Sequence, residues 1–173
     1  MLEFRRLHLI FVLLFSSMCF FHQAPAQTSS YGELQAAYLY NFSKYITWPN
    51  EPFSFTIGIM GETEIIDDLQ KILKGKKVRG KEIELKTIKT IEEGKQYQII
   101  YLSSNASDIL SSLNRSIVDK NILVVTEDDL VKNGAIISFF VDDEKLKFKI
   151  NKKMLMKSGL QAADGLLKLG MIY

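Results

Sequence analysis

The sequence predicts an α/β protein: a single compact domain with a mixed β-sheet flanked by helices, ending in a C-terminal hairpin and helix. Three observations carry that expectation. Short continuous apolar runs, "FSFTIGIMG" at 53–61, "YQIIYLS" at 97–103 and "NILVVTE" at 121–127, alternate with helical patterns. This is how strands buried on both faces and joined by helical crossovers read. "AIISFFVDDEKLKFKI" at 135–150 instead reads as two β-rich runs around an acidic turn, an antiparallel addition that makes the sheet mixed. Between residue 27 and the C-terminus there is no Pro/Ser-rich linker, repeat or low-complexity tract, so one domain is expected from a chain of this length.

The first 26 residues are set apart. Arg5 and Arg6 precede an apolar run from Leu7 to about Phe21, and Ala24-Pro25-Ala26 follows. A charged start, an apolar middle and a small-residue site predict a secretory signal peptide cleaved after Ala26. The run is broken by His8, two serines and Cys19, and it is shorter than the ~20 residues that a membrane span takes. "SSMC" lacks the Leu and small-residue approach of a lipidation site, so Cys19 reads as a leader residue.

That leader carries chemistry away with it. The only Cys is Cys19 and the only His residues are His8 and His22. A mature chain from Gln27 to Tyr173 would hold neither residue type. Disulfides, Cys nucleophiles, Ser-His-Asp triads and His-based general acid–base work are then excluded, as are zinc and copper sites built on His or Cys. Loss of Arg5, Arg6 and Glu3 leaves 20 basic and 19 acidic residues, a formal charge of +1. With acids and bases interspersed, nothing points to nucleic acid or to a polybasic membrane patch.

Along the mature chain, Leu34, Ala37, Tyr38, Phe42 and Tyr45 recur at helical spacing over 33–47, and Pro49 stops the helix. A buried strand follows at 53–61. Thr63 is expected to cap a helix to about Leu73, with Ile65, Ile66, Leu69, Ile72 and Leu73 inward. Residues 75–89 hold a turn and an alternating strand around Ile83, Leu85 and Ile88. After the strand at 97–103, Ile109, Leu110 and Leu113 place a helix at 106–116. The strand at 121–127 leads to a short helical turn through Val131 and then to the hairpin, which turns at Asp142-Asp143-Glu144. Asn151 caps a last helix to about Ser158, Gly159 ends it, and the apolar tail "LQAADGLLKLGMIY" is expected to dock.

Motifs for chemistry are sparse. "IGIMGETE" has a strand, a Gly turn and a helix start but neither the G-x-G-x-x-G spacing nor a Lys-Ser/Thr pair. It reads as an ordinary βα turn, with room for an anion on the backbone N–H groups near Gly61 and Thr63. Asp67-Asp68, Glu92-Glu93, Asp128-Asp129 and Asp142-Asp143 are read as capping, turn or solvated acids. None has calcium-loop spacing, so neither a metal nor a cofactor is expected. An enzyme built on carboxylates or Tyr is the weakest reading.

"AAYLYNFSKYITWP" at 36–49 is the densest aromatic stretch. Tyr38, Phe42 and Tyr45 read as core. Tyr40 and Lys44 lie four apart and off that stripe, while Asn41 and Trp48 carry polar groups that seek partners. This stretch resembles the opening signature of the YfiR-like family of periplasmic proteins, at Ala37, Tyr40, Asn41, Phe42, Lys44, Trp48 and Pro49. "FTIGIMG", "GKKVRGKEIELK", "YQIIYLSS", "ILVVTEDDLVKNGAIISFFVDDEKLKFKIN" and the closing segment continue the likeness over 32–173.

The resemblance implies regulation rather than catalysis. The family's name-giving member represses a membrane-bound diguanylate cyclase by binding its periplasmic domain, and related domains accompany sensor kinases. It therefore implies a periplasmic protein that represses such a membrane signalling partner and is compatible with a homodimer. The alternative is a periplasmic module that binds a small ligand without a dedicated membrane partner. Better-studied relatives use cysteine pairs, and this mature chain has none, so disulfide redox sensing does not carry over. Tyr40, Asn41, Lys44 and Trp48 are the expected partner- or ligand-contacting residues.

Overall fold

The structure is a computed structural model, and it describes residues 30–50 and 52–173. The leader expected over 1–26 lies outside the described residues.

Helix α1 (Tyr31–Tyr45) begins with a capping box. The Ser30 hydroxyl accepts from the Glu33 N–H at 3.1 Å, and the Ser30 N–H donates to the Glu33 carboxylate at 3.2 Å. Two of the orphan donors at the helix start are thereby satisfied. Its buried face carries Ala36, Leu39, Phe42 and Ser43 and continues into Ile46. This face is rotated from the expected stripe, since Leu39 belongs to it and Tyr45 does not. Tyr45 is 44% exposed, because the helix ends there and Ile46 takes the inward place. Ile46–Thr47 form strand β1, whose partner is β9 (Gln161–Ala162). Tyr38 and Phe42 do pack inward. Their rings meet Phe148 edge-on at 5.0 and 5.1 Å and lie 5.9 and 6.0 Å from Phe139, the cross-strand neighbour of Phe148.

An eight-stranded mixed sheet forms the middle layer. In chain order its strands are β2 (Phe55–Met60), β3 (Lys77–Val78), β4 (Lys81–Ile88), β5 (Ile99–Leu102), β6 (Leu123–Thr126), β7 (Ile137–Asp142), β8 (Lys145–Ile150) and β10 (Met171–Ile172). In space they run β10-β8-β7-β6-β5-β2-β4-β3. The centre, β4-β2-β5-β6-β7, is parallel; β3 and β8 are antiparallel additions, and β10 lies parallel to β8. The expected mixed sheet with a closing hairpin is therefore what forms. The docked tail is also found, as α6 (Asp164–Leu169) followed by β10.

The apolar strands divide their side chains between two cores, as the two-residue period of a pleated strand demands. In β5, Ile99 and Tyr101 face one core while Ile100 and Leu102 face the other. The first core is covered by α1, by α2 (Ile65–Leu73), and by Leu155 and Leu166 from α5 (Lys152–Lys157) and α6. The second is covered by α4 (Leu110–Ser116) through Leu110 and Leu113, with Ile91 of α3 (Ile91–Gly94) at its edge. The stretch expected to be helical from 106 begins as a 3-10 helix at Ser104–Ile109.

Both hairpins turn on two residues with positive φ: Arg79 and Gly80 at 51° and 81°, Asp143 and Glu144 at 48° and 57°. This is the type I′ geometry that matches strand twist. The Asn151 side chain caps α5 by accepting from the Met154 N–H at 2.9 Å.

Phe42 is fully buried against the paired rings of Phe139 and Phe148. Phe42→Ala is expected to destabilise the domain by about 3–5 kcal/mol, whereas Tyr45→Ala should stay within about 0.5 kcal/mol. Denaturant midpoints of the two variants check this. Equal losses would place the buried face of α1 elsewhere.

Candidate functional site

Two places merit description: the second half of α1, where the sequence points, and the carboxyl edge of the sheet, where the topology points.

On α1, Tyr40 is half-buried and packs on the main core. The Lys44 ammonium lies 5.4 Å from its ring centroid, and Lys76, just before β3, lies 5.8 Å from it. Lys44 also sits 5.5 Å from the ring of Tyr45. Two lysines and Tyr45, all exposed, thus gather around the half-buried Tyr40 in a basic-aromatic cluster, held by attraction between cation and ring face. Asn41 is the next residue on the helix and is half-buried. Trp48 is separated from this group. Beyond β1 it folds inward, is 6% exposed, and stands edge-on to Phe55 at 5.1 Å. Its indole N–H is buried without a hydrogen-bond partner. The structure therefore brings Tyr40 and Lys44 together, with Asn41 adjacent on the helix, and gives Trp48 a packing position.

The carboxyl edge follows from chain order. From β2 the chain crosses through α2 to β4 on one side; after β4 it returns past β2 to β5 on the other. The helices after β2 and after β5 cover opposite faces, so the loops leaving these neighbouring strands diverge. Such a switch point is where open α/β sheets hold ligands.

Gly61 lets the two loops meet. With φ at +89°, a Cβ there would stand 2.0 Å from the Ser103 hydroxyl and 2.4 Å from the Asn105 side-chain oxygen. That oxygen accepts from the Glu62 N–H at 3.1 Å and from the Ser103 hydroxyl at 2.7 Å. The loop after β6 is fixed by a buried hydroxyl relay. Ser138 accepts from the Leu130 N–H at 3.1 Å and lies 2.8 Å from the Thr126 hydroxyl, which donates to the Asp128 carbonyl at 2.8 Å.

A cleft of about 870 Å³ opens over these loops, bounded on one side by Tyr31 and Gln35 of α1 and on the other by Phe140 of β7. Six carboxylates line it, those of Glu62, Glu64, Asp68, Glu127, Asp128 and Asp129, and no Lys or Arg does. From outside, Lys149 pairs with Asp129 at 2.5 Å and Lys71 with Asp68 at 3.6 Å. Glu127 accepts from the Ser104 N–H at 2.8 Å and, weakly, from the Thr63 hydroxyl at 3.5 Å. Asp128 accepts from the hydroxyls of Ser104 at 2.7 Å and Ser107 at 3.1 Å.

Behind Thr63 and Glu127 lies Tyr101. Its side chain is wholly buried, and its hydroxyl makes no hydrogen bond of good geometry, although Thr63 and Glu127 stand close enough to act on it. Burial, and after it the charge of Glu127, push its pKa well above the usual phenol range.

The sequence holds these residues but not their meeting. Glu127-Asp128-Asp129 reads as a helix start, and Tyr101 as one more apolar residue of a strand. The usable signal is that they all stand at carboxyl ends of parallel strands. The anion seat at Gly61 and Thr63 is corrected: the Glu62 N–H is already taken by Asn105, and the surrounding carboxylates repel an anion. Thr63 is not the helix cap either. Glu64 holds that position without a side-chain bond, and the Thr63 oxygen only approaches the Ile65 N–H at 3.5 Å.

Comparison with known proteins places the chain. Its sequence matches the family model described as YfiR/HmsC-like over residues 32–171. The chain belongs to the YfiR/HmsC-like family. No curated protein matches it. The fold of this YfiR-like domain is similar to that of a conserved domain protein from Vibrio cholerae O1 biovar El Tor, with a TM-score of 0.59 at 13% identity over 83% of this chain. It is also similar to an ABC domain from Streptococcus pneumonia, solved in complex with L-Trp, with a TM-score of 0.53 at 15% identity over 82% of this chain. The chain spans 60% of the length of each. Among the described residues, no helix is long and apolar enough to cross a membrane.

Gly61→Ala forces a Cβ into Ser103 and Asn105 and is expected to lower stability by well over 1 kcal/mol. A thermal melt like that of the parent would show that the two loops separate freely. Tyr101→Phe should leave stability unchanged or raise it by about 1 kcal/mol, because it removes an unpaired buried hydroxyl. The raised phenol pKa gives stability that is present below the unfolded value of 10.0 and is lost as pH climbs above it. The Phe variant should therefore lose less stability than the parent in alkaline melts; an identical alkaline loss would assign that loss to other groups.

Proposed function

We propose that this YfiR-like domain is an exported periplasmic regulator. Residues 1–26 direct export and are removed after Ala26. The domain at 27–173 then binds the periplasmic part of an inner-membrane signalling enzyme, a diguanylate cyclase or a sensor kinase, and represses it. Family membership across the whole domain carries this reading. It is supported by the lack of Cys and His after residue 26, which removes the commonest catalytic groups.

The contact surface proposed on α1 is Tyr40, Asn41 and Lys44. Among the described residues, Lys44 makes no ion pair and is exposed, so its charge is available to an acidic partner. Trp48 would support that surface from below, by packing on Phe55.

A second reading is favoured by the cleft at the switch point: a periplasmic module that binds a small ligand. A neighbour of similar fold was solved holding L-Trp. The readings are compatible, since a ligand that prefers one state of the regulator biases partner binding by that preference.

The test is capture of the tagged full-length chain from gently solubilised cells, with identification of what accompanies it. A membrane cyclase or sensor kinase is expected, and Lys44→Glu should weaken its recovery at an unchanged melting temperature. Recovery of the protein alone, with crosslinking, would overturn the regulatory reading; a Lys44→Glu variant that unfolds would return Lys44 to a structural role.

A further inference from the structure

We propose that the cleft at the carboxyl edge of the sheet binds a small organic cation, a protonated primary amine carried on an apolar or aromatic body. The inference rests on the ligand-cleft reading above and adds the chemical class of the ligand.

Charge sets the sign. Of the six carboxylates in the cleft, two are paired by lysines reaching in from outside. Glu62, Glu64, Glu127 and Asp128 have no cationic partner among the described residues. The bonds to Glu127 and Asp128 come from neutral donors, a backbone N–H and three hydroxyls. Such donors fix the two carboxylates in place but leave their charge intact, and each oxygen retains a further lone pair to offer. An ammonium brings three donors and the opposite charge.

The unpaired Tyr101 hydroxyl is an independent observation. A buried polar group without a partner is a net burden on the fold, and the groups acting on this one, Glu127, Thr63 and Asp128, all line the cleft. The phenol lies behind the cleft wall beside Glu127, where it can donate to that carboxylate as it turns toward a cation.

The remaining walls suit an apolar body. Phe139, Phe140, Val141 and Leu146 form one side; the Phe140 ring already carries the Lys149 ammonium at 4.7 Å, so this wall offers apolar surface rather than a free ring face. The Tyr31 hydroxyl donates to the Glu144 carbonyl at 3.1 Å, tying the start of α1 to the hairpin turn. The volume is in the range of small-molecule sites. A metal ion fits less well: among the described residues no three acidic side chains converge on one point.

The experiment titrates the protein, purified as cells produce it, with tyramine and with its acid counterpart 3-(4-hydroxyphenyl)propionate, by calorimetry and thermal melting. Tyramine should bind saturably and raise the melting temperature, and the acid should do neither. Glu127→Gln and Asp128→Asn should each weaken tyramine about tenfold, as loss of a charged hydrogen-bond partner does. Tyr101→Phe should weaken it severalfold while remaining fully folded. If Glu127→Gln fails to fold, the exposed Asp128 supplies the same test. Binding of the acid but not of tyramine would keep the ligand cleft and overturn the cation. No response to either probe would overturn both, and tyramine binding indifferent to Glu127 and Asp128 would overturn this site.

Discussion

The position of β2 governs the rest of the molecule. It is hydrogen-bonded in parallel to β4 on one side and β5 on the other, and every one of its six residues is buried. A strand in that position has no face to spare for water, so it is apolar but for Thr56 and is covered by helices above and below. Since parallel neighbours cannot be joined by a tight turn, each connection has to cross a face. α2 takes one face and α4 the other, which leaves the loops after β2 and β5 splayed. The cleft is thus a consequence of topology before any side chain is chosen. What the side chains add is its closure behind Gly61 and its negative charge.

This division explains what was legible beforehand. Buried parallel strands announce themselves as short apolar runs, and a type I′ hairpin as an acidic pair between β-rich runs, so the order of elements and the mixed sheet could be read directly. The inner face of α1 was harder. Its aromatic residues occupy more than one face, and helical spacing alone does not tell Tyr45 from Leu39. The decision is made by where the helix ends: once β1 pairs with β9, Ile46 replaces Tyr45 at the core. The site was less legible still. Thr63, Tyr101 and Glu127 stand on three separate strand ends and meet only through the sheet register. No local pattern marks Tyr101, because an unpaired phenol in a strand reads as one more apolar residue.

The two places of interest differ in how they relate to stability. The exposed part of the α1 surface costs the fold little, since Lys44 projects from a helix already held by Leu39 and Phe42, although Trp48 beneath it also buries an unpaired N–H. The cleft is different. It gathers like charges on loops that must approach closely, and it buries a hydroxyl that receives nothing in return. Local departures from what stability alone would select are expected where a protein does its work. By that criterion the carboxyl edge is the stronger of the two candidates for a ligand, and the basic-aromatic cluster the stronger for a partner that brings its own acidic surface.

A single element joins them. The start of α1 borders the cleft through Tyr31 and Gln35, and its second half bears Tyr40, Asn41 and Lys44. Fifteen residues of helix span about 22 Å, and this one is packed along its length on α2 and on the Phe139–Phe148 pair. A charge bound at one end need not bend the helix to be felt at the other. It has only to favour one seating of α1 on the sheet over another, and the difference in ligand affinity between those seatings sets the most by which it can change partner affinity. The capping box at Ser30 and the Tyr31–Glu144 bond are the contacts such a ligand meets first. On the proposed reading the point of coupling is the start of α1 rather than the core, because a close-packed core has no slack to transmit a gradual displacement.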